Sequence, residues 1–267
     1  EGCVLCKYEN GFAAIIALKC ETDFVAKNAD FVKLAQDILD VAVANKCKSL
    51  DEVKALPMAG HTVADAVTDR SGITGEKMEL DGYSFIEGEN VSVYDHMGRH
   101  MLCTMVQTNK PAEEQAHNIA MQVAAMNPVA LDEASVPQAV KDEELKVAIE
   151  KTKEEQVKKA VEAALKKAGF NLYIAESEDH LEEGIRKGNI TEEQAQQIRD
   201  LKQATAEQKA ANLPEQMIQN IANGRMNKFF KESCLLNQEY IQDSKMSVTD
   251  YLKSADKYND TALKGRV

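Results

Sequence analysis

The spacing of apolar positions changes several times along the chain, and each change marks an element. Phe12-Ala13-Ala14-Ile15-Ile16-Ala17-Leu18-Lys19-Cys20 is a short, nearly continuous apolar run opened by a glycine, of strand rather than helix length. Asn10-Gly11 joins it to a first strand at 2–7, because both residues accept the positive φ of a tight hairpin. From Phe31 the period turns helical: Phe31, Leu34, Ala35, Ile38, Leu39 and Ala42 share one face, to about residue 45. Between these rhythms lies Glu21-Thr22-Asp23-Phe24-Val25-Ala26-Lys27-Asn28. Thr22 or Asp23 caps the helix there, since a short side-chain oxygen accepts from a free N–H of the first turn. Leu56-Pro57 breaks a next short helix, and 62–69 reads as another stopped at Ser71-Gly72. Strand rhythm returns at 77–87, 91–95 and 99–108, with Gly88-Glu89-Asn90 as a turn. This half reads as α+β with a small antiparallel sheet.

Beyond Pro111 the chain is mainly helical. Residues 112–126 carry Ile119, Ala120, Val123 and Ala124 on one face, and Asn127-Pro128 stops them. Pro137 opens a long helix to about 168, with Leu145, Ile149, Gln156, Ala160, Ala164 and Ala168 near a three-four repeat and Gly169 at its end. A short helix at 177–187 follows, then a capping box, Thr191 to Gln194, opens a helix striped by Ala195, Ile198, Leu201 and Thr205. Narrow stripes with charged outer faces fit either an antiparallel hairpin or coiled coil, or two surface helices lying on the main core. Pro214 opens a helix from 215 to 224 that continues or resumes through 230; 234–241 reads as a strand, and Ser247 to Asp250 caps a final helix to 253.

Phe24 has two readings. It stands seven residues before Phe31, so it either joins the buried stripe or forms a held aromatic knob beside a carboxylate, of the kind that anchors interfaces.

Composition narrows the function. At 267 residues and 44% hydrophobic the chain is long enough and apolar enough for a real core. A net charge of −12 argues against direct nucleic-acid or anionic-membrane binding, which needs clustered Lys and Arg. No apolar run reaches membrane-spanning length. The six cysteines are scattered in apolar runs, as small buried hydrophobes of a reducing compartment. Cys3 and Cys6 match C-x-x-C, but in a strand residues i and i+3 face opposite sides and no second pair stands at zinc spacing. His96 and His100 flank a glycine turn, where a spacing of four implies no shared face. No phosphate loop, catalytic triad, metal site or cofactor site is expected.

Three segments, in order and far apart, resemble the elongation factor Ts family of guanine-nucleotide exchange factors. They are the Thr22-Asp23-Phe24-Val25 corner, the helix His117-Asn118-Ile119-Ala120-Met121-Gln122-Val123-Ala124-Ala125-Met126-Asn127-Pro128, and Gly224-Arg225-Met226-Asn227-Lys228-Phe229-Phe230, followed by Leu235-Leu236-Asn237-Gln238-Glu239-Tyr240-Ile241. The resemblance implies two α+β subdomains, 1–111 and 112–165 with 214–256, the second interrupted by an inserted helical hairpin or coiled coil at 166–213, and a tail at 257–267. It implies a cytoplasmic translation factor that performs no bond chemistry. Its partner would be elongation factor Tu, GDP-bound and nucleotide-free, contacted by Thr22, Asp23, Phe24, Val25, Arg99, His100, Met101, Met121 and Gln122. The family's aromatic enters a pocket of the GTPase and displaces elements near its Mg²⁺ site. Three positions depart from the pattern: His100 and Met101, since Arg99-His100-Met101 stands for Arg-Ile-Gly, and Gln122, which stands for a common histidine. The family's small ubiquitin-associated-like front domain is not found before Glu1, and 261–267 stops about where a last family strand would finish. A non-catalytic helical scaffold or assembly protein is the alternative, supported by the hairpin alone.

Overall fold

The computed structural model describes residues 1–254. Two compact units are present: Glu1–Ser135 with the described residues from Lys231, and Val136–Phe230. The elements run β1 (Gly2–Glu9), β2 (Phe12–Lys19), α1 (Asp23–Ala26), α2 (Ala29–Ala44), α3 (Leu50–Ala55), β3 (Pro57–Met58), β4 (His61–Thr62), α4 (Val63–Thr74), β5 (Glu79–Glu87), β6 (Val91–Asp95), β7 (Cys103–Gln107) and α5 (Glu113–Met126). Then follow α6 (Gln138–Lys167), α7 (Leu172–Ala175), α8 (Glu178–Arg186), α9 (Glu192–Ala211), α10 (Glu215–Ser233), β8 (Glu239–Tyr240), β9 (Asp243–Ser247) and α11 (Val248–Ser254). The α+β class holds, with small antiparallel sheets.

The first unit is layered. β2 is the middle strand of the sheet β1-β2-β5, antiparallel to both neighbours, with Gly2 opposite Lys19 and Phe12 opposite Glu87. Asn10 and Gly11 take the left-handed conformations the hairpin needs. Burial on both faces explains why β2 is almost wholly apolar rather than alternating. Phe12, Ala14, Ile16 and Leu18 meet Phe31, Ile38 and Leu39 of α2 with α3 and α4 on one face. Ala13 and Ile15 meet Cys103 and Met105 of the β6-β7 ribbon on the other. Each large side chain fully buried there contributes roughly 1.5–3 kcal/mol. The outer side of the ribbon packs on α5 and α11 through Val106, Ile119, Val123, Val248 and Leu252. Cys3 faces the α2 core while Cys6 packs with Ile15 and Cys103, so the C-x-x-C thiols lie on opposite faces of β1.

The second unit holds α6, α7, α8, α9 and most of α10, and α6 to α9 share a small core. Leu165 of α6 meets Ala175, Leu181, Ala195 and Ile198 at one end. At the other, Ile149 and Lys153 lie beside Ala210 and Ala211 in one cavity, so α6 and α9 run antiparallel. Thr191 and Gln194 form the expected capping box.

Several boundaries need correcting. The strand expected at 99–108 begins at Cys103, because Met97, Gly98 and His100 take positive φ and turn the chain. The strand expected at 234–241 is a 3₁₀ turn, Leu235–Asn237, and the two-residue β8. α10 passes unbroken through Gly224. The expected tail, 257–267, lies outside the described residues.

Candidate functional site

The corner folds as its sequence requires, with one difference. Asn28 is extended and caps α2, accepting from the N–H groups of Asp30 (2.9 Å) and Phe31 (3.4 Å). The helix therefore does not continue back to Phe24. Residues Asp23–Ala26 form a separate turn, α1, capped by Thr22, whose Oγ1 accepts from the N–H of Val25 at 3.4 Å. Phe31 is fully buried while Phe24 is 83% exposed, which eliminates the core reading of Phe24. Asp23 is exposed and paired with Lys27 at 3.0 Å, and that hydrogen bond holds its carboxyl below the usual range. Val25 packs partly against the α2 core and anchors the turn from beneath.

Glu76, just after the left-handed Gly75 that ends α4, braces this corner from a distant part of the chain. Its Oε2 accepts the N–H groups of Glu21 and Thr22, both at 3.1 Å, and its Oε1 accepts the Thr22 hydroxyl. Ser71 in turn donates to the Glu76 carbonyl at 2.6 Å. Sequence reading missed Glu76, since nothing local marks a contact with a segment so far away. The bond from the Thr22 hydroxyl leads the effects that lower the Glu76 pKa. A carboxyl with a depressed folded pKa gives stability that is complete above its unfolded value and lost as pH falls through the folded one. Acid should therefore loosen the corner: the amide resonances of Glu21 and Thr22 are expected to move together as pH falls below the ordinary glutamate range. In Glu76→Gln that joint movement should vanish; its persistence would assign the titration to another group.

The β6-β7 turn lies at the same end of the sheet. Val4 N–H donates to the His100 carbonyl at 2.7 Å, and Cys20 N–H to the Glu1 carbonyl at 3.0 Å, so the start of β1 touches the turn and the corner alike. Asp95 ties the turn down, accepting from the His100 backbone N–H at 3.0 Å and pairing with its Nδ1. His96 instead meets Tyr94 Oη at 2.9 Å, so the two histidines serve different partners. Arg99 is exposed, and Met97 and Met101 stand 64% and 67% exposed. Met97, which sequence reading did not single out, joins Met101 as a second apolar projection.

α5 runs toward this end too: Ala116 lines a cavity with Val91 and Thr108, whereas Ala120 accepts from Thr104 beside the turn. Met121 is half-buried and Met126, at the helix end, is exposed. Gln122 needs correcting as a contact residue. It is fully buried, its Nε2 donates to the carbonyl of Glu239 (3.0 Å) and to Gln238 Oε1 (3.3 Å), and its Oε1 accepts from Ile241 N–H (2.8 Å). With donor and acceptor both engaged inside the protein, Gln122 holds the β8-β9 hairpin on α5.

Among the described residues no group of three or more His, Cys, Asp or Glu is placed to hold a metal, and no helix is long and apolar enough to cross a membrane. The sequence matches the family described as elongation factor TS over residues 21–177 and 181–265. It is 63% identical over 256 residues to elongation factor Ts of Phocaeicola vulgatus, covering 96% of this chain and 78% of that protein. To elongation factor Ts of Parabacteroides distasonis it is 62% identical with the same coverage, and to that of Porphyromonas gingivalis 39% identical over 259 residues, 96% of this chain and 74% of the relative. With the match running through the corner, α5 and α10, the chain belongs to the elongation factor Ts family, whose members are translation elongation factors.

Proposed function

We propose that this protein is a guanine-nucleotide exchange factor that binds elongation factor Tu carrying GDP and promotes release of the nucleotide. It works in the cytoplasm beside the translation machinery and makes or breaks no covalent bond. The observation that carries the reading is Phe24, an aromatic ring 83% exposed on a capped turn that Glu76 braces from behind. Leaving such a ring in water forgoes the stabilisation of burial, and a partner pocket supplies it. Because Thr22, Glu76 and Asn28 already fix the backbone around it, little conformational freedom remains to be lost on docking.

Thr22 and Val25 set the ring's position, Asp23 presents a carboxylate beside it, and Arg99, His100, Met101 and Met121 extend the contact from the same end of the unit. The ring displaces elements near the Mg²⁺ site of the GTPase. Binding of the factor and binding of nucleotide then weaken each other by the same factor, since the coupling is reciprocal. We also read two subdomains, 1–111 and 112–165 with 214–256, with 166–213 inserted in the second; the separate hydrophobic clusters on the two sides of the β6-β7 ribbon, and a further one among 165–201, support that division.

Stopped-flow release of a fluorescent GDP from elongation factor Tu tests the function. The release rate should climb with the concentration of this protein and then saturate. A rate that stays at the spontaneous value across the titration would sink the reading.

A further inference from the structure

α4 and the turn after it grip the Phe24 corner at both ends. Glu76 holds its start, at the backbone of Glu21 and Thr22. Arg70, near the end of α4, reaches its other end: Nη2 donates to Asn28 Oδ1 at 3.3 Å and lies 3.7 Å from Asp30 Oδ2. The two grips are tied together. The Thr74 hydroxyl donates to the Arg70 carbonyl at 3.1 Å and accepts from the Glu76 N–H at 3.3 Å.

Asn28 is the joint on which the corner turns. Its N–H donates to the Val25 carbonyl and closes α1, and its carbonyl accepts from the Val32 N–H and opens α2, both at 3.0 Å. Its φ and ψ therefore set the angle between the turn that carries Phe24 and the helix fixed in the core. The cap formed by its side chain is local to α2, whereas Arg70 adds a tether from a separate element. Stability alone gives Arg70 little reason to be there. Its acidic partner Asp30 is exposed, and an ion pair in solvent contributes little. Its own Nε is buried and finds no partner among the described residues, which counts against the folded state.

We infer that Arg70 is a positioning residue, which holds Asn28 and through it keeps the Phe24 ring at the angle its partner accepts. The inference rests on the reading of Phe24 as the docking element. Arg70 acts through the ring and not by touching the GTPase. A corner held before contact loses less freedom on docking, so removing the tether weakens binding and leaves unchanged what a seated ring does.

The test is a double-mutant cycle on GDP release from elongation factor Tu, with the half-saturating concentration and the saturating rate read separately. Arg70→Ala should raise the half-saturating concentration about three- to ten-fold, the effect of ordering one more side chain on docking, and leave the saturating rate at the parent's value. Arg70→Lys keeps a donor without the planar fork and should fall between the two. In the Phe24→Ala background Arg70→Ala should add nothing, because the group it positions is gone. NMR order parameters of the free protein give a second readout: amides 23–28 should lose order in Arg70→Ala, those of β1 and β2 should not, and the protein should melt where the parent does. An equal rise in the Phe24→Ala background would make Arg70 a direct contact. An unchanged half-saturating concentration or unchanged order at 23–28 would remove the tether, and an early melt would make Arg70 a support of the fold. Each of these overturns the inference. A parent that released no GDP would sink the exchange reading instead, and the order parameters would still decide whether Arg70 holds the corner.

Discussion

Phe24→Ala should slow GDP release from elongation factor Tu by roughly thirty-fold at a fixed, subsaturating concentration, while the protein melts where the parent does. The two halves of this expectation rest on different facts. Truncating a central aromatic anchor costs about 2 kcal/mol or more, and each 1.4 kcal/mol is tenfold. Stability is untouched because the ring is 83% exposed and touches no core, and substitutions at such positions usually stay within about 0.5 kcal/mol. Phe24→Leu should retain part of the activity, since a smaller apolar side chain fills part of an apolar pocket. The paired measurement separates explanations that one assay would confuse. An early-melting Phe24→Ala would mean the ring supports the fold. A variant that melts normally and exchanges like the parent would remove Phe24 from the mechanism. Ile73, 73% exposed at the end of α4 and close in sequence to Glu76, provides a control: a comparable loss in Ile73→Ala would point to general apolar stickiness at this end of the unit.

The corner shows where reading a sequence works and where it stops. The stripe Phe31, Ala35, Ile38, Leu39 and Ala42 was legible because burial of one helix face imposes a period of three to four, and all five are buried. Leu34, on the edge of that stripe, is only partly buried. Extending the same period back to Phe24 fails for a local reason, the extended backbone at Asn28, which splits one apparent helix in two. An Asn ahead of an apolar run is a capping signal, but here it competes with Thr22, and both are used. The brace from Glu76 was invisible: a Glu after a helix-ending Gly looks like any solvated turn residue, and its partners lie on the far side of α2, α3 and α4 in sequence. The β8-β9 hairpin was missed because Asp243-Ser244-Lys245-Met246-Ser247 lacks the β-branched and aromatic residues that mark strands. Its pairing comes from tertiary contacts, among them those of Gln122 with residues more than a hundred positions away. The long helix α6, whose apolar spacing is local, emerged within a residue or two, and α9 opens at the expected capping box.

Gln122→Ala should destabilise the protein by about 3 kcal/mol without touching the exposed surface of the corner. The substitution leaves Ile241 N–H without its acceptor and the Glu239 carbonyl without its donor. The three hydrogen bonds lost, two of them only part-buried, are worth roughly 0.5–1.5 kcal/mol each. Gln238 is affected less, since its own Nε2 still donates to the Glu232 carbonyl at 2.9 Å. For a chain of this size the expected loss corresponds to a midpoint lowered by roughly 6–12 °C. Hydrogen exchange should locate it, with faster exchange at Tyr240, Ile241 and Ser247 and little change in β1 or β2. Gln122→Glu discriminates further. Its carboxylate still accepts from Ile241 but donates nothing to Glu239, and it places an uncompensated charge in a buried site, so it should be at least as destabilising as alanine at neutral pH. At low pH the protonated acid regains one donor, and the deficit relative to the parent should shrink. If Gln122→Ala melts within about 2 °C of the parent, water or a rearranged hairpin satisfies those groups, and Gln122 does not hold the β8-β9 hairpin on α5.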